Sequence, residues 1–343
     1  MNSKSFGILT TGENVTLYTL SNEYISISVS DFGSSLVNLW VKDKQGNPVD
    51  IVLGFDDVSG YECDNGTYIG CNVGRNANRI LNARFSINEK VYELDKNEGN
   101  NNLHSGFNPY SKRMWKVNSV DENSISLSLF SPHMDQGFPG NMDLNVTYIL
   151  NGNELKISYD AKCDMDTVIC ITNHSYFNLN GQGSGTILNH QVKLNSDCFI
   201  PVDKESIPTG EILKVYDTPM DFTNIKRVGK EIEADYEPLQ NTVGYDHNWC
   251  ISDYDGSIKE AIVAKGDKTG IKMTLSTDYP GIQMYAGNFL KGEKGKEGAV
   301  YNRREGICFE PQFYPDSVNH ENFISPVCKA NQPFHKEIVY KFE

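Results

Sequence analysis

The sequence predicts an all-β protein, built as a large antiparallel β-sandwich with few short helices. Apolar and polar residues alternate with period two in many segments, a pattern typical of half-buried strands. Turn-forming Gly, Asn and Asp recur between these segments at short and regular spacing, whereas helical periodicity is scarce. Strands that follow one another this closely pack as antiparallel sheets, so the sandwich is the architecture that the three observations favour.

The elements can be placed along the chain. The segments with clear alternation are residues 24–29, 36–41 and 125–129. Hairpins are predicted over residues 85–94, 145–159 and 261–275. The first turns at Asn88-Glu89, and in the second Asn151-Gly152 supplies the positive φ angles that a tight turn needs. The best helical candidate is a short stretch near residues 224–234.

The chain is expected to form a single domain over residues 1–343. A length of 343 residues suits one large all-β domain with an ample core. The polar stretches 98–102 and 291–298 are interpreted as loops, because strand-like sequence resumes soon after each of them.

Composition excludes several classes of partner. A formal net charge of −14 disfavours nucleic acid and anionic membrane surfaces, which both require clustered Lys and Arg. The eight cysteines form no C-x-x-C pair and the N-terminus lacks the apolar core of a signal peptide, so we expect reduced thiols and a cytoplasmic protein. We expect a monomer or homodimer that binds a small molecule.

Sequence signatures of metal and nucleotide sites are missing as well. The chain has no H-E-x-x-H, no paired cysteines at zinc spacing and no G-x-x-x-x-G-K-[ST]. The glycine-rich stretch 181–185 lacks the sixth-position glycine and the βαβ context of a dinucleotide site. We therefore expect no cofactor, and acid-base chemistry by side chains is what remains.

Five stretches supply candidates for that chemistry. They are residues 74–80 with two arginines, 102–106 with His104, 172–179 with His174, 245–249 with Asp246, and 308–316 with Glu310. His174 follows the apolar run 168–171, which reads as a buried strand, so the imidazole is placed where that strand leaves the core. Taken alone, each candidate has a structural explanation, and for a lone histidine or arginine a structural role, such as a surface ion pair, is the more common one. Together these stretches mix polar and aromatic side chains. Such a mixture suits a sugar ligand, because sugar hydroxyls need hydrogen-bond partners and the C–H face of the ring packs on an aromatic side chain.

Taken together, these stretches resemble a known family. The ordered motifs are G-R-x-x-N-R-I, L-H-x-G, T-N-H-x-Y-F-N-L, D-H-N and E-x-Q-x-x-P-D-x-x-N, at residues 74–80, 103–106, 172–179, 246–248 and 310–319. This set is similar to that of the galactose mutarotases, or aldose 1-epimerases. The resemblance runs from about Gly7 to the C-terminus and implies the large antiparallel β-sandwich of that family.

The resemblance also implies roles for individual residues. Glu310 would be the base on the anomeric hydroxyl and His174 the acid on the ring oxygen. The residues that would hold or polarise the sugar are Arg75, His104, Asp246, Asn76, Tyr176 and Gln283. Pro311 stands where Thr is common in the family, and Ser105 where a second Gly is common.

The expected function is an aldose 1-epimerase that interconverts the α and β anomers of free hexoses such as D-galactose and D-glucose. We expect a carboxylate with a pKa near about 4.3 to be ionised at neutral pH, and a histidine with a pKa near about 6.5 to be held protonated by a neighbouring carboxylate. Neither a metal nor a nucleotide is required for this chemistry.

Other functions remain open at this point. A hexose-6-phosphate 1-epimerase would need several basic groups around the phosphate, and the candidate stretches offer chiefly Arg75 and Arg79. A non-catalytic sugar-binding or regulatory protein on the same fold is a second alternative. A glycoside hydrolase would need two carboxylates across a glycosidic bond, for which Glu310 and Asp246 are candidates.

Overall fold

The computed structural model describes residues 2–64 and 66–343, and it confirms the all-β prediction. Most of the described strands belong to three antiparallel sheets of five, nine and six strands. The two α-helices among the described residues are short, Val58–Cys63 and Glu237–Asn241. Single 3₁₀ turns occupy Leu81–Ala83, Tyr110–Lys112, Asp135–Gly137, Val228–Lys230, Lys296–Gly298 and Ser317–Asn319.

The order of strands in space follows the chain in the five-stranded sheet and departs from it in the other two. The five-stranded sheet is a meander of Asn2–Ile8, Asn14–Ser21, Ser26–Ser30, Ser35–Lys42 and Pro48–Asp50. The nine-stranded sheet runs Lys116–Val120, Ser124–Ser131, Met142–Asn151, Glu154–Cys163, Pro333–Phe342, Lys272–Thr277, Lys259–Lys265, Gln191–Leu194 and Lys226–Arg227. The six-stranded sheet runs Tyr176–Phe177, Ile307–Gln312, Gly281–Tyr285, Asp246–Cys250, Cys198–Ile200 and Leu213–Lys214.

Short two-stranded ladders complete the described β structure. They pair Arg79–Ile80 with Asn102–Leu103, Asn72–Val73 with Thr172–Asn173, Thr167–Val168 with Val327–Cys328, Arg84–Ile87 with Lys90–Glu93, and Lys291–Lys294 with Val300–Asn302.

The three predicted hairpins are present. Arg84–Ile87 pairs with Lys90–Glu93 through Asn88 and Glu89, which both adopt positive φ. In the second hairpin Asn151 pairs with Glu154, so the turn consists of Gly152 and Asn153 and lies one residue later than predicted. Only Gly152 of that turn has a positive φ angle, which glycine adopts at no steric cost.

The helix predicted near residues 224–234 is wrong. Lys226–Arg227 instead pairs with Gln191–Leu194 at one edge of the nine-stranded sheet, and Val228–Lys230 forms a 3₁₀ turn. The Lys226 ammonium donates to the Pro219 carbonyl and to Glu231. Pairing at the sheet edge therefore outweighs a weak local helical preference.

The predicted strand over residues 168–171 is interrupted. Val168 and Thr172 lie in two different short ladders, and the buried residues between them bond to loops. Ile169 N donates to Pro326 O and Cys170 N donates to Arg75 O. The chain therefore leaves one ladder and enters another just before His174.

One large apolar core joins the sheets. Its buried members include Ile27 of the five-stranded sheet, Val146 of the nine-stranded sheet, and Trp249 and Phe309 of the six-stranded sheet. All four of these side chains are fully buried. In the described part of the chain, neither helix has the length and apolarity needed to cross a bilayer.

Candidate active site

A cavity of about 570 Å³ lies against one face of the six-stranded sheet. Antiparallel register places Gln283 opposite Glu310 on neighbouring strands, and Asp246 opposite Tyr285. Directly opposite residues project from the same face of a sheet, so these four side chains share one surface and all line the cavity. The sheet thus builds the floor of the site from strands that are distant in sequence.

His174 and Glu310 form a buried pair in the cavity wall. His174 Nε2 lies 3.7 Å from Glu310 Oε1, and the two side chains are only 7% and 3% exposed. The His174 backbone amide donates to Cys71 O at 2.8 Å, which fixes the chain where it leaves the ladder at Asn173. Glu310 Oε2 is buried without a hydrogen-bond partner among the described residues, so this oxygen is available to a ligand.

Burial changes the charge state that we expected for this pair. Burial, reinforced by the Asp246 carboxylate and partly offset by Arg79, raises the pKa of Glu310 well above its usual value. Burial also lowers the pKa of His174 to about 4. Both shifts run against the expectation of an ionised glutamate beside a protonated histidine. They favour a neutral imidazole and a neutral carboxyl group, because a low-dielectric environment disfavours either charge.

Asp246 and Gln283 form a second polar pair beside Glu310. Gln283 Nε2 donates to Asp246 Oδ1 at 2.7 Å. Burial raises the pKa of Asp246, while Arg79 and the Gln283 hydrogen bond act in the opposite direction. The second oxygen of Asp246 and the unpartnered Gln283 Oε1 leave acceptors for sugar hydroxyls.

Arg79, rather than Arg75, is the arginine of the cavity wall. Arg79 binds Glu98 in a bidentate ion pair, with Nε–Oε2 and NH2–Oε1 distances of 2.6 and 2.8 Å. Burial opposes the charge of Arg79, but the hydrogen bonds to Glu98 outweigh it and raise the pKa of the guanidinium. This pair fixes the guanidinium in the cavity wall, with its charge balanced by Glu98.

Arg75 is a structural residue in this fold, so its assignment to sugar binding is wrong. Its guanidinium is fully buried and donates to the carbonyl groups of Pro139, Gly140 and Ser131. It also donates to the hydroxyl groups of Thr167 and Ser131. All of these contacts lie outside the cavity, and they hold loops together.

Two other predicted sugar-binding residues, Tyr176 and Asn76, lie outside the cavity, where they contact its wall or residues adjacent to it. The Tyr176 ring lies 5.2 Å from the His174 ring, and its hydroxyl donates to Thr67 O, outside the residues that line the cavity. The Asn76 amide donates to Ser105 Oγ at 2.8 Å and its side chain donates to Ala77 O. The geometry therefore assigns Tyr176 and Asn76 to packing rather than to sugar contact.

His104 lies in the cavity wall as a neutral hydrogen-bond donor. Its Nδ1 accepts from the Asn78 backbone amide at 3.1 Å, so Nε2 carries the ring hydrogen of the neutral imidazole. Burial, with smaller effects of His174 and Arg79, lowers the pKa of His104 well below its usual value. The His104 ring meets the His174 ring edge-on at 5.5 Å.

Several cavity residues were not predicted from the sequence. Tyr68, Asn78, Glu98, Tyr285 and Phe289 also line the cavity. Tyr285 has the same strand parity as Gln283, and Asn78 lies in the same motif as Arg79, so both had a detectable signal. Tyr68 and Phe289 lie in irregular segments, where no periodicity marks them.

Comparison with known proteins gives a consistent result over almost the whole chain. The family model described as aldose 1-epimerase matches residues 16–341. The galactose mutarotase of Bos taurus is 38% identical over 341 residues, covering 98% of this chain and 97% of that protein. The aldose 1-epimerase of Haemophilus influenzae is 34% identical, covering 97% of each chain.

Solved structures share the architecture. The aldose epimerase homologue from C. elegans superposes with a TM-score of 0.87 at 33% identity, covering 95% of this chain and 98% of that one. The galactose 1-epimerase from Lactobacillus acidophilus gives a TM-score of 0.86 over 100% and 98% of the chains. At 24% identity the second likeness concerns the fold alone. Sequence and structure thus agree that the chain belongs to the aldose 1-epimerase family, whose members interconvert the anomers of aldoses.

Proposed function

We propose that this enzyme opens the pyranose ring of free hexoses, D-galactose and D-glucose first, with Glu310 as the base and His174 as the acid. The observation that carries the proposal is the buried pair with His174 Nε2 3.7 Å from Glu310 Oε1 in the wall of the sugar-sized cavity. Two groups that exchange protons with O1 and O5 of one ring must lie this close to the same anomeric centre.

The reaction conserves one proton on the pair. Glu310 removes the proton of the O1 hydroxyl while His174 delivers its proton to O5, so that the C1–O5 bond breaks and C1 becomes an aldehyde. Rotation about C1–C2 presents the other face of the aldehyde, and the reverse transfers close the ring. Ring opening starts from the tautomer that carries the shared proton on His174, an imidazolium beside a carboxylate, and it returns the pair to the neutral form that burial favours in the free site. Because burial favours the neutral pair, it stabilises the open-chain stage.

The remaining polar groups of the cavity orient the sugar. The His104 Nε2 hydrogen and the Arg79 guanidinium are donors for hydroxyl oxygens, whereas Asp246 and Gln283 Oε1 are acceptors for hydroxyl hydrogens. Tyr285 and Phe289 offer aromatic surface for the C–H face of the ring.

The charges of the cavity favour a neutral sugar over a hexose 6-phosphate. Arg79 is already paired with Glu98, and Lys204 is the other cation among the described cavity residues. Four carboxyl groups, those of Glu98, Glu205, Asp246 and Glu310, line the same space. A phosphate dianion placed beside the Glu98 and Glu205 carboxylates would meet like charges.

We further propose that residues 1–343 act as one domain, as a monomer or homodimer in the cytoplasm. The eight cysteines are all free thiols, which suits a reducing compartment. A net charge of −14 keeps such a protein soluble and disfavours nucleic acid and membrane surfaces as partners.

Polarimetry of freshly dissolved α-D-galactose and α-D-glucose tests the proposed function. The protein should accelerate the approach to the equilibrium rotation. Glu310→Gln keeps the side-chain shape but removes the carboxylate, so turnover should fall by about 10²–10⁴-fold while galactose still binds. The control Glu321→Gln changes an exposed carboxyl group and should behave like the wild type. A Glu310→Gln variant with wild-type turnover would remove Glu310 as the base.

A further inference from the structure

The proposed acid-base pair has a third neighbour that the sugar reaction does not use, the thiol of Cys308. Residues 308 and 310 project from the same face of the strand Ile307–Gln312 because side chains alternate along a strand. Cys308 Sγ lies 3.6 Å from His174 Nδ1, and Glu310 Oε1 lies 3.7 Å from the other ring nitrogen, Nε2. All three side chains are buried, and one ligand atom from each lies within 4.8 Å of the others.

The spacing of these atoms suits a tetrahedral metal ion. Zinc binds thiolate sulfur, imidazole nitrogen and carboxylate oxygen at about 2.0–2.3 Å, so two ligands of one tetrahedral ion are about 3.5 Å apart. One ring nitrogen, the sulfur and one carboxylate oxygen of this cluster lie within 4.8 Å of one another, somewhat farther apart than the ligands of a bound ion. Rotation of the imidazole, with shifts of the other two side chains, would bring one ring nitrogen, the sulfur and the oxygen around a common centre. Glu310 and His174 line the cavity, so a fourth position faces it and is accessible to an ion.

The charge of the cluster also suits a divalent ion. A buried thiolate and a buried carboxylate would each be costly alone, but together they balance the charge of one divalent cation. The resulting unit is neutral, as its buried surroundings require. Binding releases the proton of the Cys308 thiol and the single proton that His174 and Glu310 share.

We propose that His174, Cys308 and Glu310 bind a thiophilic divalent cation such as Zn²⁺, and that the bound ion inhibits anomer interconversion. The inhibitory part rests on the proposed function, because the ion occupies both proposed proton-transfer groups and the place of the anomeric centre. Sugar and metal are then mutually exclusive, and the metal acts as a competitive inhibitor.

Cobalt(II) is the probe for the binding part, since a Co(II)–thiolate bond has a charge-transfer band in the near ultraviolet. Titration of the wild-type protein with Co²⁺ should produce this band with one site per chain, and Zn²⁺ should displace it. Cys308→Ser should lose the band. The control Cys63→Ser removes an exposed thiol and should keep it. The absence of the band in the wild type, or its persistence in Cys308→Ser, would overturn the proposal.

Two further measurements test the metal site in ways that do not depend on whether Cys308→Ser folds. They also distinguish failure of the metal site from failure of the proposed function. Saturating galactose should abolish the cobalt band of the wild-type protein, and a band that persists under galactose would overturn the shared site. Zn²⁺ should inhibit wild-type mutarotation competitively. When each rate is divided by the rate without metal, half-inhibition of Cys308→Ser should require at least about tenfold more Zn²⁺ than half-inhibition of the wild type. Normal mutarotation without a cobalt band overturns only the metal site. A Cys308-dependent band in a protein without mutarotation overturns only the proposed function.

Discussion

At the scale of single residues, the catalytic proposal depends on how burial distributes one proton between His174 and Glu310. The shifts in pKa are opposite, down to about 4 for the imidazole and upward for the carboxyl group. Between these two pKa values the free enzyme carries one proton on the pair, on Glu310. That is the proton count which the ring-opening reaction uses.

The pH dependence of kcat/KM follows from this proton count. Below the lowered pKa of His174 the pair takes up a second proton, and above the raised pKa of Glu310 it loses its only proton. We therefore expect an acid limb near pH 4 and an alkaline limb well above the usual range of a glutamate. Polarimetric rates corrected for spontaneous mutarotation test this. An acid limb near about pH 6.5, the value of a solvated histidine, would contradict the role of burial.

Arg79 provides a second prediction at the residue scale. Arg79→Ala removes a charged donor from the cavity, so galactose binding should weaken by about 1.5–3 kcal/mol, the value of a hydrogen bond to a charged group. The measurement is KM together with direct binding of galactose. Arg84→Ala, which removes an exposed arginine on the neighbouring segment, serves as the control and should leave KM unchanged. An unchanged KM in Arg79→Ala would show that this guanidinium does not contact the sugar.

At the scale of elements, Asp316 connects the strand of Glu310 to the ladder that carries Arg79. The Asp316 amide donates to Arg79 O at 2.9 Å, and its Oδ1 accepts from the Leu81 amide at 3.0 Å. Asn319 Nδ2 also donates to Oδ1, at 2.7 Å. The short strand Arg79–Ile80 is therefore held on both sides of Ile80 by one buried residue, six positions after Glu310.

We predict that Asp316→Ala acts through this connection. Without the acceptor, the Arg79–Ile80 strand loses its anchor, so KM for galactose should rise by about tenfold, or about 1.4 kcal/mol, with a smaller change in kcat. Asp316→Asn keeps an acceptor oxygen and, like Asp, tolerates the positive φ at this position, so it should restore most of the affinity. Equal losses in both variants, or a loss confined to kcat, would argue against a positioning role.

At the scale of the whole molecule, a buried ion pair ties the five-stranded sheet to the segment at Lys296. Lys296 Nζ lies 2.6 Å from Asp50 Oδ2 and also donates to the carbonyl groups of Val37 and Val52. Burial lowers the pKa of Lys296, and Asp50 counteracts this effect. A charge in this position requires its counter-ion, since water cannot replace it.

Asp50→Asn should therefore destabilise the protein strongly. The variant keeps the shape of the side chain but leaves the Lys296 charge uncompensated, at a cost of about 3–5 kcal/mol in the free energy of unfolding, measured by urea denaturation. Asp255→Asn breaks an exposed pair with Lys259 and should have a much smaller effect. A loss for Asp50→Asn no greater than that of the surface control would mean that the buried pair contributes little.

The sequence by itself determined the fold class, the three hairpins and the motif positions, because strand alternation and turn chemistry are local properties. It also singled out His174, His104, Asp246, Gln283 and Glu310, which the structure brings to one cavity. Only the tertiary structure decided which arginine of residues 74–80 faces that cavity, because this depends on how loops distant in sequence surround Arg75. The charge state of the His174–Glu310 pair and the proximity of Cys308 were decided in the same way, since burial and distance result from the packing of several strands.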